Sequence, residues 1–124
     1  MIKEGKHTFV IFSNPRLMPG HLLVIPKRHV EKLSELNEEE RKELVDNVIE
    51  FQEKILKKIS PGCDIRENYR PFQKQDNLKV YHLHIHLQPR NLKDELYKEC
   101  QIYETEVFKA LSEEEAKNIS GLLE

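Results

Sequence analysis

Three histidines alternate with aliphatic residues in the second half of the chain, at His82, His84 and His86. This spacing matches the two-residue side-chain period of a β-strand, so the three imidazoles are predicted to share one face. Neutral imidazoles can ligate zinc, copper, iron or nickel. They can also form a phosphate site, in which one imidazole is the nucleophile and its neighbours donate hydrogen bonds to the oxygens and the leaving group. The row by itself favours neither chemistry strongly.

Gln88 continues the polar side of this row and is predicted to point toward the same site. It could bind phosphate or another part of a substrate, or it could cap the polar row. The aliphatic residues of the opposite side require a hydrophobic layer behind the sheet; they are Leu83, Ile85 and Leu87. The row therefore predicts a half-buried strand with one face available for chemistry.

Two further strands are predicted near the N-terminus. Residues 7–12 are apolar, aromatic or β-branched and end at the turn signal Ser13-Asn14-Pro15. Residues 21–26 form the second strand, and Pro26 is expected at its end because proline cannot donate to a ladder. We expect the two strands to be antiparallel neighbours. His21 follows Gly20, where backbone can approach a ligand closely.

A long helix is predicted to begin at Asn37, an N-cap residue followed by three glutamates, and to end before residues 60–62. Its apolar positions recur at spacings of three and four, at Leu44, Val45, Val48, Ile49, Ile55, Leu56 and Ile59. We expect this helix to cover the aliphatic side of the histidine strand. Weaker alternation predicts a third strand over residues 63–69. Ser112 followed by three glutamates predicts a last helix that ends near residue 123.

Composition narrows the class of protein. A chain of 124 residues suits one domain, and a formal net charge of −2 argues against a dedicated nucleic-acid or membrane-surface protein. Cys63 and Cys100 have no paired spacing, which favours a reducing compartment. The first residues lack the apolar run of a signal peptide, and no stretch is long enough to span a membrane. We expect a soluble cytoplasmic protein.

Two segments resemble a known family. Residues 82–90 have the sequence His-Leu-His-Ile-His-Leu-Gln-Pro-Arg, which resembles the histidine triad signature His-φ-His-φ-His-φ-φ, where φ is apolar. Residues 19–29, Pro-Gly-His-Leu-Leu-Val-Ile-Pro-Lys-Arg-His, are similar to the other recurrent segment of that family. The resemblance covers about residues 9–90. It implies an α+β fold, with an antiparallel sheet backed by one long helix. The tail 91–124, which carries the C-terminal helix predicted from Ser112, is not fixed by the resemblance and is expected to complete a single domain over residues 1–124.

The resemblance also implies a nucleotidyl hydrolase or transferase. His84 would attack the α-phosphorus of a nucleoside phosphate ester, anhydride or phosphoramidate and form a nucleotidyl-histidine intermediate that water resolves. A backbone carbonyl would hold its Nδ1–H and leave Nε2 free. His82 and His86 would contact the phosphate, and His21 would support the triad. By the same resemblance the substrate is a purine nucleotide or a dinucleoside polyphosphate, no cofactor or metal is required, and the protein forms a homodimer; His29 receives no role.

The sequence departs from the family pattern at three places. Gln88 stands where the signature ends in an apolar residue. The family's phosphate-holding Gly-Gln-Ser or Gly-Gln-Thr segment is replaced by residues 77–79, in which Lys79 could supply charge, and Asn68 is the candidate upstream amide for phosphate. The family's ribose-contacting aspartate is replaced by Ser13 and Asn14, either of which could hydrogen-bond a ribose hydroxyl. Two alternatives therefore stay open: a metal-binding domain that uses the histidine row, and a nucleotide-binding module with weak catalysis.

Overall fold

The computed structural model describes residues 1–74, 81–95 and 107–124. They fall into two compact units, Met1–Asp94 and Glu95–Glu124, so the single domain predicted over residues 1–124 stays a prediction. Lys79 lies outside the described residues. So do most of residues 93–100, whose types favour a helix, and most of residues 101–108, which could form a strand or continue that helix. No helix in the described ranges is long and apolar enough to cross a bilayer.

The first unit is built on an antiparallel sheet. Its strands within the described residues are β1 (Lys3–Glu4), β2 (Thr8–Phe12), β3 (Leu22–Pro26), β4 (Gly62–Arg66) and β5 (Ile85–Arg90). Their order across the sheet is β1-β2-β3-β5-β4. The predicted pairing of β2 with β3 is confirmed, and Pro26 is the last residue of β3. The last of these strands in the sequence, β5, is therefore inserted between β3 and β4.

A helix, α1 (Glu38–Lys58), covers one face of this sheet. Asn37 is its N-cap: the Asn37 side chain accepts from the Glu40 N–H, and the Glu40 carboxylate accepts from the Asn37 N–H. The core joins the buried side of α1 to the aliphatic residues that alternate with the histidines; its members include Leu44, Phe51, Ile55, Leu83, Ile85 and Leu87. The predicted α+β fold, with the long helix behind the histidine strand, is confirmed.

The segment between β3 and α1 is fixed by a buried carboxylate. Arg28 donates from Nε and Nη2 to Glu40, and its Nη2 also donates to the Glu35 carbonyl over 2.6 Å. The hydrogen bonds that Glu40 accepts from Arg28, and next the one that it accepts from the Asn37 N–H, lower the pKa of its carboxyl to about 2. The carboxylate is therefore ionised at neutral pH, and it ties the chain that carries His29 and Val30 to the start of α1.

The second unit contains α2 (Glu113–Leu123). Ser112 is its N-cap, and its hydroxyl oxygen accepts from the Glu115 N–H over 3.1 Å. The helix that the sequence predicts from Ser112 to about residue 123 is confirmed.

Three predicted details are wrong. The histidine strand begins only at Ile85. Before it, the Leu83 N–H donates to the Val30 carbonyl over 2.7 Å and not to a neighbouring strand. The third strand spans Gly62–Arg66 and does not reach residue 69. In α1, Phe51 is buried, whereas three residues of the predicted apolar stripe are more than half exposed: Val45, Ile49 and Ile59.

Candidate active site

A cavity of about 690 Å³ opens on the sheet face that carries the histidine side chains. This volume lies within the range of about 300–1,000 Å³ that is usual for small-molecule sites. Eight of the predicted site residues line the cavity: Ser13, Asn14, His21, Asn68, His82, His84, His86 and Gln88. Lys79, the ninth, lies outside the described residues. The structure thus brings together residues from four separate parts of the sequence.

Strand register divides the cavity floor into an apolar side and a polar side. On the β2–β3 side, Phe9 pairs with Ile25, and both line the cavity together with Leu23. Leu23 is in turn the register partner of His86, and the other neighbour of His86 is Arg66 on β4. A path across the strands therefore leads from aliphatic and aromatic side chains to imidazoles and then to a guanidinium.

The orientation of the His84 ring is fixed by a backbone carbonyl. His84 Nδ1 lies 2.8 Å from the His82 carbonyl oxygen. Since a carbonyl can only accept, Nδ1 must carry the proton, and Nε2 is left with a free lone pair. His84 lines the cavity, and its ring meets the His86 ring edge to face with centroids 4.8 Å apart. The geometry makes Nε2 of His84 an available nucleophile.

A directional chain of hydrogen bonds sets the protons on the neighbouring pair. The Leu17 N–H donates to His21 Nδ1 over 3.1 Å, so Nε2 of neutral His21 carries the proton. His21 Nε2 lies 2.9 Å from His86 Nδ1, which must then accept. The proton of His86 is therefore on Nε2. The Leu17 N–H at one end of this series of hydrogen bonds therefore makes His86 Nε2, at the other end, a hydrogen-bond donor.

Burial keeps both rings of this chain neutral. Burial is the main cause that lowers the pKa of His21, followed by the charge of Arg66 and by repulsion from the protonated form of the His84 ring. Burial also lowers the pKa of His86 to about 4, with His84, His21 and Arg66 adding to the effect. Neither ring is protonated at neutral pH, which agrees with the assigned hydrogen bonds.

The remaining triad residue belongs to a second histidine pair. His82 Nε2 donates to the Pro26 carbonyl over 2.9 Å, so its Nδ1 is an acceptor. His29 Nδ1 lies 3.2 Å from His82 Nδ1 and donates to it. His29, for which the sequence predicted no role, thus contacts the triad. The same His82 presents its carbonyl to His84, so this pair supports the nucleophile from its other side.

Gln88 is a buried amide with an unsatisfied oxygen. Its side chain is 1% exposed, and Oε1 has no hydrogen-bond partner within the described ranges. Such a group costs about 1–3 kcal/mol when nothing compensates it. A residue that capped the histidine row would hydrogen-bond to it, so the unpaired oxygen favours the substrate-binding alternative over the capping one.

Sequence analysis missed three contributors: Arg66, the Leu17 N–H and His29. The sequence could have predicted Arg66, because Asp64, Arg66 and Asn68 are two residues apart and thus share a face in an extended chain. As for the metal alternative, no group of three His, Cys, Asp or Glu residues in ranges 1–74, 81–95 and 107–124 is arranged to hold an ion. Both nitrogens of His82 are already engaged in hydrogen bonds.

Comparison with known proteins agrees with this geometry. The HIT domain model matches residues 1–93. An uncharacterized HIT-like protein of Methanocaldococcus jannaschii is 33% identical over 92 residues, which are 73% of this chain and 67% of that protein. Adenosine 5'-monophosphoramidase hnt1 of Schizosaccharomyces pombe is 35% identical over 74 residues, 57% of this chain and 49% of that protein.

Solved structures extend the match to the fold. The crystal structure of a HIT family member from Bacillus subtilis superimposes with a TM-score of 0.75 at 25% identity, covering 98% of this chain and 82% of the other. The chain spans about two thirds of the length of the curated relatives it matches, for example 65% of a HIT-like protein of Chlamydia muridarum. The matched domain contains every histidine of the site, and the chain belongs to the HIT domain family.

Proposed function

We propose that the protein is a nucleotidyl hydrolase or transferase that acts at the α-phosphorus of a nucleoside phosphate ester, anhydride or phosphoramidate. One observation carries this proposal: the His84 ring has its Nδ1–H held by the His82 carbonyl and its Nε2 lone pair free, in a cavity of nucleotide size. The neighbouring His86 has its proton on Nε2 and can donate to a phosphate oxygen.

The reaction would proceed in two displacements. His84 Nε2 forms a bond to the α-phosphorus while the bond to the leaving group breaks, and the leaving group departs with that electron pair. The resulting imidazole carries positive charge, which the His82 carbonyl at Nδ1 stabilises. Hydrogen bonds from His86 and Asn68 would stabilise the phosphoryl oxygens. Water, or another hydroxyl acceptor in a transferase, then attacks phosphorus, the P–N bond breaks with its electron pair returning to His84 Nε2, and the proton of the attacking oxygen passes to solvent.

The two sides of the cavity floor suit the two ends of a nucleotide. Phe9, Leu23 and Ile25 offer an apolar surface for a purine base, while the imidazoles lie toward β5. Asn14 and Ser13 line the cavity at the end of β2 and would contact the ribose hydroxyls. Gln88 Oε1 accepts only, so as oriented it would bind a hydroxyl or an N–H and not a bare phosphate oxygen.

Family membership and one relative's name support the wider proposal. The Schizosaccharomyces pombe relative is an adenosine 5'-monophosphoramidase, which makes a purine nucleoside phosphoramidate a reasonable first substrate. Dinucleoside polyphosphates are the second class to test. A homodimer, implied by the sequence resemblance, and a cytoplasmic location, expected from the composition, also belong to this proposal. Sedimentation velocity of the purified chain tests the former.

The decisive experiment replaces the nucleophile. We expect His84→Ala to lower turnover of adenosine phosphoramidate by at least about 10³-fold, as removal of a covalent nucleophile commonly does. Incubation of the wild-type protein with α-³²P-labelled nucleotide should give an acid-labile label that maps to His84. His7→Ala is the matched control, because His7 pairs with Glu39 and is not among the residues that line the cavity.

The same experiment separates the alternatives. Unchanged turnover in His84→Ala would contradict the proposal. Loss of wild-type labelling on chelation would favour the metal-binding domain, and tight nucleotide binding without label or turnover would favour a binding module. Labelling that survives the chelator and disappears only with His84 supports the histidine mechanism.

A further inference from the structure

Arg66 contributes a positive charge to the cavity beside the phosphate-binding histidines. It is the last residue of β4, it pairs in register with His86 on β5, and it lines the cavity. Side chains directly opposite each other on an antiparallel pair have Cβ atoms about 4.5–5.5 Å apart. A guanidinium at this position can therefore reach a ligand that is bound in the cavity at His86.

This charge has no counterion in the described part of the chain. No carboxylate in ranges 1–74, 81–95 and 107–124 forms an ion pair with Arg66, although Arg28 pairs with Glu40 and Arg90 pairs with Asp64 and Asp94. The contrast with Arg90, on the adjacent strand, is informative. Arg90 serves the fold by joining β5 to β4. Among the described residues, nothing accepts from the five N–H donors of the Arg66 guanidinium, which can therefore bind an anion.

The position of Arg66 across the sheet indicates which anion it meets. The apolar floor lies on β2 and β3, His84 and His86 lie at β5, and Arg66 follows on β4. With the base over the apolar side and the α-phosphorus at His84, the groups beyond that phosphorus extend toward β4. Those groups are the leaving group of the reaction.

We propose that Arg66 binds the leaving group and makes the site prefer substrates whose leaving group is a phosphate over those that release an amine. The inference rests on the proposed function. When a phosphoanhydride bond breaks, its electron pair moves to the departing phosphate oxygen, and a guanidinium stabilises this charge through paired hydrogen bonds. A departing amine must instead take up a proton, and a nearby fixed cation gives it no such help.

The test uses two substrates that share adenosine and the α-phosphate. Adenosine diphosphate releases phosphate, and adenosine 5'-phosphoramidate releases ammonia. We expect Arg66→Gln to lower kcat/KM for the diphosphate by about 10- to 100-fold, the range for loss of a charge-assisted hydrogen bond, and for the phosphoramidate by less than about threefold. Arg66→Lys should recover part of the diphosphate rate.

The controls separate a specific role from a structural one. Arg70→Gln removes the same charge from an exposed residue outside the cavity lining and should leave both substrates unaffected. An equal loss for both substrates in Arg66→Gln, or no loss for the diphosphate, would overturn the role of Arg66 while leaving His84 labelling intact. A wild-type protein that turns over neither substrate and takes no label would overturn the proposed function and this inference together.

Discussion

Two histidine pairs flank the reaction centre with almost the same ring separation and opposite surroundings. The rings of His21 and His86 are 5.1 Å apart, and those of His29 and His82 are 5.0 Å apart. The first pair begins at a backbone donor, the Leu17 N–H, whereas the second ends at a backbone acceptor, the Pro26 carbonyl. The hydrogen bonds therefore run toward the cavity in the first pair and toward the end of β3 in the second.

Burial separates the pairs further. His21 is 3% exposed and its hydrogen bonds have no competition from water, while His29 is exposed and water can replace it as a donor. A fixed backbone group sets the state of a ring most firmly where water is excluded, because an unpaired buried group is costly. The His21–His86 pair is thus a preset donor to the substrate, and the His29–His82 pair is a support for the segment that carries His84.

The largest expected difference is in catalysis. His21→Ala removes the only described donor to His86 Nδ1 and should lower kcat by about 100-fold, because His86 would no longer be held with its proton on Nε2. His29→Ala is the matched variant on the exposed pair and should lower kcat by only about two- to threefold. Steady-state kinetics on adenosine phosphoramidate measures both.

Equal losses in the two variants would remove the distinction between the pairs. A large loss only in His29→Ala would reverse it and assign the ordering of the site to the exposed side. Thermal unfolding of both variants distinguishes either result from a simple failure to fold.

A second difference should appear in the dependence of stability on pH. The pKa of His86 is about 4 in the folded protein, and the ordinary value of 6.5 applies to the unfolded chain. Between these values the unfolded chain binds a proton that the folded protein excludes, so the free energy of unfolding should fall as pH decreases from 6.5 toward 4. His21, whose pKa is also lowered, contributes in the same direction.

The histidine contribution can be separated from that of the carboxylates. Glu40, Glu43 and Glu50 have lowered pKa values in the folded protein and an ordinary value of 4.5, so their contribution to stability is nearly constant above about pH 5.5. Urea unfolding at about pH 7.0, 6.3 and 5.6 therefore reports mainly on the histidines. His86→Asn should flatten the slope in this window and His29→Ala should retain it; a wild-type slope in His86→Asn would contradict the assigned neutral state.

The contrast between the pairs also marks the limit of what the sequence could predict. Period-two alternation at residues 82–88 and the capping signal at Asn37 are local, and both led to the correct face and the correct helix start. The apolar residues of α1 did not identify its buried face, because two overlapping stripes both have spacings of three and four. Packing against the sheet determines that Phe51 is buried and Val45 is exposed. The start of β5 at Ile85 depends on a contact between residues distant in sequence, in which the Leu83 N–H donates to the Val30 carbonyl.

The site residues that sequence analysis missed depend on contacts between residues that are distant in the sequence. Arg66 joins the cavity because β5 is inserted between β3 and β4, an order that no local pattern encodes. The Leu17 N–H and the Pro26 carbonyl are backbone groups, and their roles follow from register and turn geometry, not from residue type. Residue types thus indicated the nucleophile. The fold determined which nitrogen of each neighbouring histidine donates a hydrogen bond and which accepts one.

The smallest expected effect concerns a third buried polar group beside the first pair. Extending the β3–β5 register by one residue brings Gln88 opposite His21, yet both ring nitrogens of His21 are hydrogen-bonded and Gln88 Oε1 is not. Gln88→Leu replaces the amide by an apolar side chain of similar size. It should raise the free energy of unfolding by about 1 kcal/mol, or the midpoint by about 4 °C, because it removes an unsatisfied buried oxygen.

The same variant should bind substrate more weakly, with a raised KM and little change in kcat, if the free oxygen accepts from the nucleoside. Higher stability with an unchanged KM would show that Gln88 makes no contact with substrate. Lower stability would show that the amide has a partner in solution. A variant that gains stability and loses affinity would identify Gln88 as a group kept for binding at the expense of folding, in contrast to His21, whose hydrogen bonds serve both.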